Sequence, residues 1–217
     1  MKLLVLADIH GDIENIEYID SDIRRCEGIV IAGDITDFGG RDQAVGVLSG
    51  FQKYQKPIFA VPGNCDLPGV DEVLRRNRCN LHGSCIEHEG LKFVGIGGSL
   101  PCPGRTPNEA GENDFRAVLE KGIAAFEAKN NLVLVTHQPA WGTELDITVS
   151  GRHTGSQAVR EFIEQYQPLL AVSGHMHEAS GVDEIEKTML VNPGPFRQGR
   201  YAVVEIDDKQ VNVQLYP

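Results

Sequence analysis

Side chains that bind metal ions follow five short apolar runs of this chain, at the point where each run ends. They are Asp8 with His10, Asp34, Asn64, His137, and His175 with His177. Two carboxylates, one amide oxygen and four imidazoles suit Mn, Fe, Co, Ni or Zn, and contain too much nitrogen for Ca or Mg. Seven ligands are too many for one tetrahedral ion but suit two ions if one carboxylate bridges them. We therefore expect a centre for two divalent metal ions.

The apolar runs in front of these residues predict buried strands. They cover residues 1–7, 29–31, 57–61, 132–135 and 169–172. A helical pattern after Asp12 that fades near residues 24–27 joins the first two runs into a βαβ unit, whose strands are parallel. Active groups of open α/β sheets collect where the strands end, which is where the ligands stand. Alternation along an extended backbone would turn Ile9 away and let Asp8 and His10 face one ion.

The rest of the pattern predicts one α/β domain over residues 1–217. Helices are expected over 42–52, 70–76, 114–128 and 156–165, and short strands over 85–88 and 91–95. Segments 182–185, 189–191, 201–206 and 211–215 indicate hairpins, and hence a second sheet with antiparallel pairing. The loops 97–113 and 139–153 are long for plain connections, and loops of this kind often bind substrates.

Composition excludes several classes of partner. The formal net charge of −11 disfavours general binding to a nucleic-acid backbone, which needs a basic surface. No apolar run approaches the roughly 18–20 residues of a membrane span, and the first residues predict a strand rather than a signal peptide, so we expect no membrane partner. Five cysteines without paired spacing favour a reducing, cytoplasmic setting. A phosphate can still bind this acidic protein if metal ions supply positive charge.

Five motifs resemble the ordered signature blocks of the calcineurin-like metallophosphoesterases, in particular small bacterial and archaeal members of the phosphodiesterase type. They are Asp8-Ile-His10, Gly33-Asp34-x-x-Asp37, Gly63-Asn64-Cys65-Asp66, Thr136-His137 and Gly174-His175-Met-His177. The resemblance implies a four-layer αββα sandwich in which two mixed β-sheets are flanked by helices. It also implies that Asp8, His10, Asp34 and His177 hold one ion, while Asp34, Asn64, His137 and His175 hold the other. The implied reaction is in-line attack on phosphorus by a hydroxide bridging the ions.

One residue departs from the family pattern. Many members have a histidine directly after the asparagine, where this chain has Cys65. A thiol with a reference pKa of about 8.5 is a poor acid for a leaving group, and a small buried cysteine is more often a packing residue. We therefore expect activity to favour esters with good leaving groups, such as aryl or cyclic phosphodiesters.

The remaining candidates concern catalysis and the substrate. Asp34, Asn64, His137 and Asp66 form the expected catalytic set, in which Asp66, like Asp37, is expected to orient ligands. Asn64, Arg105, Trp141 and His153 are the candidate contacts to a small phosphate ester or nucleotide. For the last three the alternatives are a solvated arginine, core packing, and a solvated pair of His153 with Arg152.

Two other functions are compatible with the motifs. One is a phosphomonoesterase or protein phosphatase. The other is a non-catalytic, metal-binding interaction scaffold, because the family includes a retromer subunit that keeps the fold and works by binding partners. The complete ligand set favours an enzyme, since a scaffold has no need of it.

Overall fold

The computed structural model describes all 217 residues, and its two β-sheets pack face to face between outer layers of helices. The predicted four-layer α/β sandwich is therefore confirmed. The strands are β1 Lys2–Leu6, β2 Gly28–Ala32, β3 Ile58–Val61, β4 Cys85–His88, β5 Leu91–Ile96, β6 Leu132–Thr136, β7 Leu170–Val172, β8 Gly181–Ile185, β9 Thr188–Asn192, β10 Tyr201–Asp207 and β11 Gln210–Tyr216. The helices are α1 Asp20–Arg25, α2 Arg41–Gln52, α3 Pro68–Arg76, α4 Glu112–Ile123 and α5 Gln157–Tyr166.

The first sheet has the strand order β11-β10-β1-β2-β3. Strands β1, β2 and β3 are parallel, whereas β10 and β11 are antiparallel to their neighbours. The apolar runs of β1 and β2 are continuous because both faces are covered. Leu4 packs towards the helices α1, α2 and α3, and Leu3 packs between the two sheets. Phe59 of β3 stacks on Phe93 of β5 with 3.8 Å between ring centroids, which joins the sheets across the sandwich.

The second sheet has the strand order β4-β5-β6-β7-β9-β8, in which β5, β6, β7 and β9 are parallel and β4 and β8 form antiparallel edges. Its outer face is covered by α4 and α5. The prediction that the last four strands form a sheet of their own is wrong. One strand of each hairpin pairs with an available strand instead: β9 lies beside β7, and β10 lies beside β1. The five ligand-bearing strands are consequently divided, three in the first sheet and two in the second.

The helices differ from the predicted ones mainly at their ends. The pattern after Asp12 folds as a short 3-10 turn, Glu14–Ile16, followed by α1. The Asp12 side chain accepts a hydrogen bond from the Glu14 amide, a local turn that competes with an α-helix. Helix α4 begins earlier than predicted, at Glu112. The Glu112 carboxylate caps α5 by accepting hydrogen bonds from the amides of Gln157 and Ala158 at 2.8 and 2.9 Å. No helix is long and apolar enough to cross a membrane.

Candidate metal centre

The loops that follow β1, β2, β3, β6 and β7 meet between the two sheets and bring all seven predicted metal ligands together. The linking contacts are His177 Nε2 to Asp8 Oδ1 (3.2 Å), His10 Nε2 to Asp34 Oδ2 (3.7 Å), His137 Nε2 to Asp34 Oδ1 (3.5 Å), and Asn64 Oδ1 to His137 Nε2 (2.7 Å) and His175 Nδ1 (2.8 Å). The division of the strands between two sheets therefore does not separate the ligands.

The ligands fall into two clusters that share Asp34. In the first, ligand atoms of Asp8, His10 and His177 lie within 4.8 Å of one another. In the second, His137 and His175 face Asn64. Asp34 presents Oδ2 to the first cluster and Oδ1 to the second.

The second cluster has a geometry that calls for a cation. His137 Nδ1 lies 2.8 Å from the carbonyl oxygen of Ala32, which can only accept, so Nδ1 carries the hydrogen. In the neutral ring, Nε2 then carries the lone pair and turns it towards Asn64 Oδ1 at 2.7 Å. Two electron pairs at this distance repel each other, and a metal ion bound to both removes the repulsion. The hydrogen bond from a ligand histidine to a backbone carbonyl is a usual support of metal sites.

The first cluster fits an ion for a different reason. Both ring nitrogens of His10 are buried and have no hydrogen-bond partner. A buried polar group without a partner is costly, and a divalent ion would provide one. Burial lowers the pKa of His10, and it lowers the pKa of His175 to about 4. Both imidazoles are thus neutral near pH 7, which is the form that binds metals.

The backbone around the first ligands is not extended, contrary to the prediction. Strand β1 ends at Leu6, and Asp8 and His10 have left-handed conformations, with φ of 53° and 50°. Asp34 and His175 have them too, with φ of 46° and 67°. Ile9 turns away from the ligands, as predicted, and lies in the core, but the sharp turns at Asp8 and His10 are the reason rather than strand alternation.

Glycines allow the loops to approach closely. A Cβ atom on Gly63 would lie 2.0 Å from Asp34 Oδ1, and one on Gly33 would lie 2.3 Å from His137 Nδ1. Any side chain at these positions would displace a ligand. The glycines of the signature blocks thus have a steric cause in this structure.

The two predicted orienting carboxylates have different surroundings. Asp66 is buried, and its oxygens accept hydrogen bonds from the amides of Ile35, Thr36 and Gly63 and from the Thr36 hydroxyl. It therefore ties the loop after β2 to the loop after β3. Burial, followed by the charge of Asp34, raises the pKa of Asp66 to about 6. Asp37 is largely exposed, and its Oδ1 lies 3.6 Å from His10 Nδ1.

Cys65 is buried against the centre, where its amide donates to Asp34 Oδ1 at 2.8 Å. Burial and the neighbouring Asp34 charge raise the pKa of the Cys65 thiol far above its ordinary value. The group therefore stays a neutral thiol, in agreement with the expectation that it is a poor acid.

Trp141 and His153 lie together in the loop that follows β6. Their ring centroids are 5.9 Å apart and both side chains are about 40% exposed, so neither belongs to the core. The loop that carries them is fixed next to the ligands: Gln138, the residue after His137, donates to the Thr154 carbonyl.

His153 is held by a residue that the sequence did not indicate. Its Nδ1 lies 2.7 Å from Oδ1 of Asp146, so it does not form the solvated pair with Arg152 that was the alternative. Asp146 is fully buried and also accepts from the amides of Gly142, Thr143 and Gly155. A single acidic residue in a long loop has no periodic signal that would have identified it.

Arg105 is exposed and its side chain has no hydrogen bond or ion pair. A different residue of the loop 97–113 reaches the centre: Asn108 donates from Nδ2 to the Gly63 carbonyl at 2.9 Å and from its amide to the Asn64 carbonyl at 3.1 Å. The sequence did not single out Asn108, because asparagine is common in loops.

An αββα sandwich with clustered oxygen and nitrogen ligands at the ends of its central strands defines a class of metal-binding α/β proteins. Within that class, the chain belongs to the calcineurin-like phosphoesterase superfamily, whose domain model matches residues 1–209. The resemblance seen in the five motifs is thereby confirmed.

Three known proteins illustrate the relationship. An uncharacterized protein of Methanocaldococcus jannaschii is 33% identical over 199 residues, covering 90% of this chain and 88% of its own. A probable glycerophosphodiester phosphodiesterase of Arcobacter nitrofigilis is 23% identical over 185 residues, or 80% of this chain and 65% of that longer protein. The crystal structure of the Thermus thermophilus protein TT1561 shares the fold, with a TM-score of 0.76 at 18% identity over 98% of this chain and 97% of that one.

Proposed function

We propose that this protein is a metal-dependent hydrolase that cleaves phosphodiesters at a centre of two divalent ions. The observation that carries the proposal is the geometry around Asn64 Oδ1, where His137 and His175 converge on one oxygen atom at 2.7 and 2.8 Å. The partnerless ring of His10 supports it from the other cluster. The proposed ions are Mn, Fe, Ni, Co or Zn, and the proposed substrate is a small phosphate ester or nucleotide.

The ligands divide between the proposed ions as the two clusters divide. Asp8, His10 and His177 would hold one ion, Asn64, His137 and His175 would hold the other, and Asp34 would bridge them. When bound, the ions supply a nucleophile by lowering the pKa of water, and they neutralise charge on the phosphoryl group. Two ions and the carboxylates of Asp8 and Asp34 together leave a charge of about +2 for an anionic substrate.

Other groups of the chain bind and orient. The Asn64 amide points Nδ2 away from the histidines, with only Cys65 Sγ at 3.6 Å, so this nitrogen is available to donate to a phosphoryl oxygen. Asp66 keeps the Asp34 and Asn64 loops in register. On the rim, Trp141 provides an aromatic face for an aryl group or a nucleobase, and His153 provides a hydrogen-bonding nitrogen. Arg105 is the candidate contact in the loop 97–113.

Cys65 supports a diester substrate with a good leaving group. Its neutral thiol is not an acid that protonates an alkoxide near pH 7, so departure should depend on the acidity of the leaving alcohol. The weak relationship to the probable glycerophosphodiester phosphodiesterase supports a diester substrate, but not the preference for a good leaving group.

Removal and restoration of metal test the proposal. The chelator-treated protein should not hydrolyse bis(p-nitrophenyl) phosphate, and Mn should restore activity. An alkyl phosphomonoester should react much more slowly than this diester. A protein that is inert both with and without Mn would contradict the proposal and favour the scaffold, and equal rates on the two substrates would contradict the diester preference.

The variant Asp34→Asn tests the bridging role. Asparagine tolerates the left-handed conformation of position 34, so the backbone should be preserved. We expect metal content and activity to fall together, whereas the control Asp42→Asn, at an exposed position of α2, should retain both ions. Unchanged metal stoichiometry in Asp34→Asn would exclude a bridging carboxylate.

A further inference from the structure

Arg197 places a positive charge beside the first cluster that no carboxylate neutralises. The residue lies in the 3-10 turn Phe196–Gln198, between β9 and β10. Its side chain is exposed and forms neither a hydrogen bond nor an ion pair. Several arginines of this acidic chain are paired, for example Arg75 with Asp71 at 2.6 Å and Arg116 with Glu161 at 2.7 Å, whereas Arg197, like Arg78 and Arg105, has no such partner. Arg197 differs from Arg78 and Arg105 in its position next to the loop that carries Asp8.

The backbone of this turn is fixed to the loop that carries Asp8. The amide of Phe196 donates to the Ala7 carbonyl at 2.9 Å, and the amide of Arg197 lies 3.4 Å from the Asp8 carbonyl. The Phe196 ring is fully buried and packs on Phe51, with 6.1 Å between centroids. The Arg197 side chain thus starts from a rigid position next to a metal ligand.

The charge of Arg197 acts on two ligands of the first cluster. Burial is the main cause of the lowered pKa of His10, and the positive charge of Arg197 lowers it further. At His177, whose pKa is raised chiefly by its hydrogen bond to Asp8, Arg197 acts in the opposite direction. The turn that carries Arg197 borders the cluster formed by Asp8, His10 and His177, because the Arg197 amide lies 3.4 Å from the Asp8 carbonyl.

We propose that Arg197 binds a non-bridging phosphoryl oxygen of the substrate at the first cluster. The inference rests on the proposed phosphoesterase function and adds a substrate-binding residue to it. A guanidinium offers paired donors whose spacing matches the oxygens of a phosphate group, and it stays charged at every working pH. The ions would attract the phosphoryl group, and Arg197 would hold one of its oxygens on the side of His10 and His177. Arg105, the arginine indicated by the sequence, has no comparable connection to a ligand.

The test compares Arg197→Gln and Arg197→Lys with Arg78→Gln. Arg78 is also exposed and unpaired, but it lies beyond the end of α3. Binding of inorganic phosphate to the Mn-loaded protein is measured by isothermal titration calorimetry, together with the KM for bis(p-nitrophenyl) phosphate and the bound metal. Loss of a charge-assisted hydrogen bond should weaken phosphate binding by roughly 10- to 100-fold and raise KM in Arg197→Gln. The lysine variant should be intermediate, the Arg78 variant should match the unmodified protein, and metal content should not change.

Two results separate failure of this inference from failure of the proposed function. Phosphate binding as tight in Arg197→Gln as in the unmodified protein would overturn the role of Arg197, even if the protein is an active phosphodiesterase. An unmodified Mn-loaded protein that does not hydrolyse the diester would contradict the proposed function. In that case, a loss of phosphate affinity in Arg197→Gln would still support the anion contact.

Discussion

Replacement of Asp146 by asparagine should release the loop that carries Trp141 and His153. All four hydrogen-bond partners of Asp146 act as donors: the amides of Gly142 and Gly155 bind Oδ2 at 3.1 and 2.9 Å, and the Thr143 amide and His153 Nδ1 bind Oδ1 at 2.9 and 2.7 Å. Asparagine can satisfy one of these pairs with its carbonyl oxygen. Its side-chain nitrogen, which is itself a donor, would then face the other two donors and could not accept their hydrogen bonds.

The cost follows from the bonds that asparagine cannot make. His153 can turn a lone pair towards the new amide, but a backbone N–H cannot. At least one bond to a charged acceptor is lost, at about 1.5–3 kcal/mol, and one buried N–H is left without an acceptor, at about 1–3 kcal/mol. We expect Asp146→Asn to destabilise the loop by roughly 3–5 kcal/mol. If the loop unfolds with the rest of the chain, Tm should fall by roughly 6–20 °C.

The chain provides its own probe for this experiment, because Trp141 is its only tryptophan. Urea unfolding is followed by Trp141 fluorescence and by circular dichroism, with Glu144→Gln as the control. Glu144 is exposed, lies in the same loop and has no side-chain hydrogen bond. A fluorescence midpoint that precedes the circular dichroism midpoint would show that the loop opens locally. A fluorescence midpoint of Asp146→Asn equal to that of Glu144→Gln would refute the reasoning.

Three further predictions concern the centre itself. Gly63→Ala should displace Asp34 and abolish metal binding, which metal analysis would measure. The control is Gly46→Ala in α2, where the added Cβ atom would have no neighbouring atom within 4 Å; this variant should stabilise the fold by about 0.5–1 kcal/mol. The folded pKa of Asp66, about 6, lies above the unfolded value of 3.8, so the metal-free protein should lose up to about 3 kcal/mol between pH 4 and 6.5. Urea midpoints in chelator across this range check that fall, and Asp66→Asn should remove it. Cys65→His should restore a proton donor and raise turnover of diesters with poor leaving groups by at least about tenfold; equal gains on p-nitrophenyl esters would argue against that explanation.

Much of the candidate centre could be predicted because its parts are local in sequence. Each apolar run is followed within a few residues by its ligands, and a strand and its loop fold together. The seven ligand positions follow from this, whereas the four-layer sandwich was implied by the resemblance of the five motifs to a known family. Even so, the prediction of an extended backbone at Asp8 and His10 was wrong. A polar residue at a strand end indicates a turn, but it does not indicate whether the backbone of that turn is left-handed.

Features that depend on pairing between distant segments could not be predicted. Alternating residues in β8 to β11 indicate hairpins, but which free edge each hairpin joins is decided by the whole fold. Arg197 illustrates the consequence. It is far from Asp8 in sequence and comes beside it only because Ala7 pairs with Pro195 and β10 lies against β1.

The two-sheet origin of the ligands gives any bound ion a mechanical role. Asp8 and Asp34 follow strands of one sheet, and His137 and His177 follow strands of the other, while the sheets themselves are held together by apolar packing. An ion shared by Asp8 and His177 would close a loop of about 170 residues, as a covalent cross-link does, and would restrict the unfolded chain accordingly. The ion would then cross-link the two sheets of the sandwich. Its loss would weaken the contact between the sheets at the edge where the substrate is expected to bind.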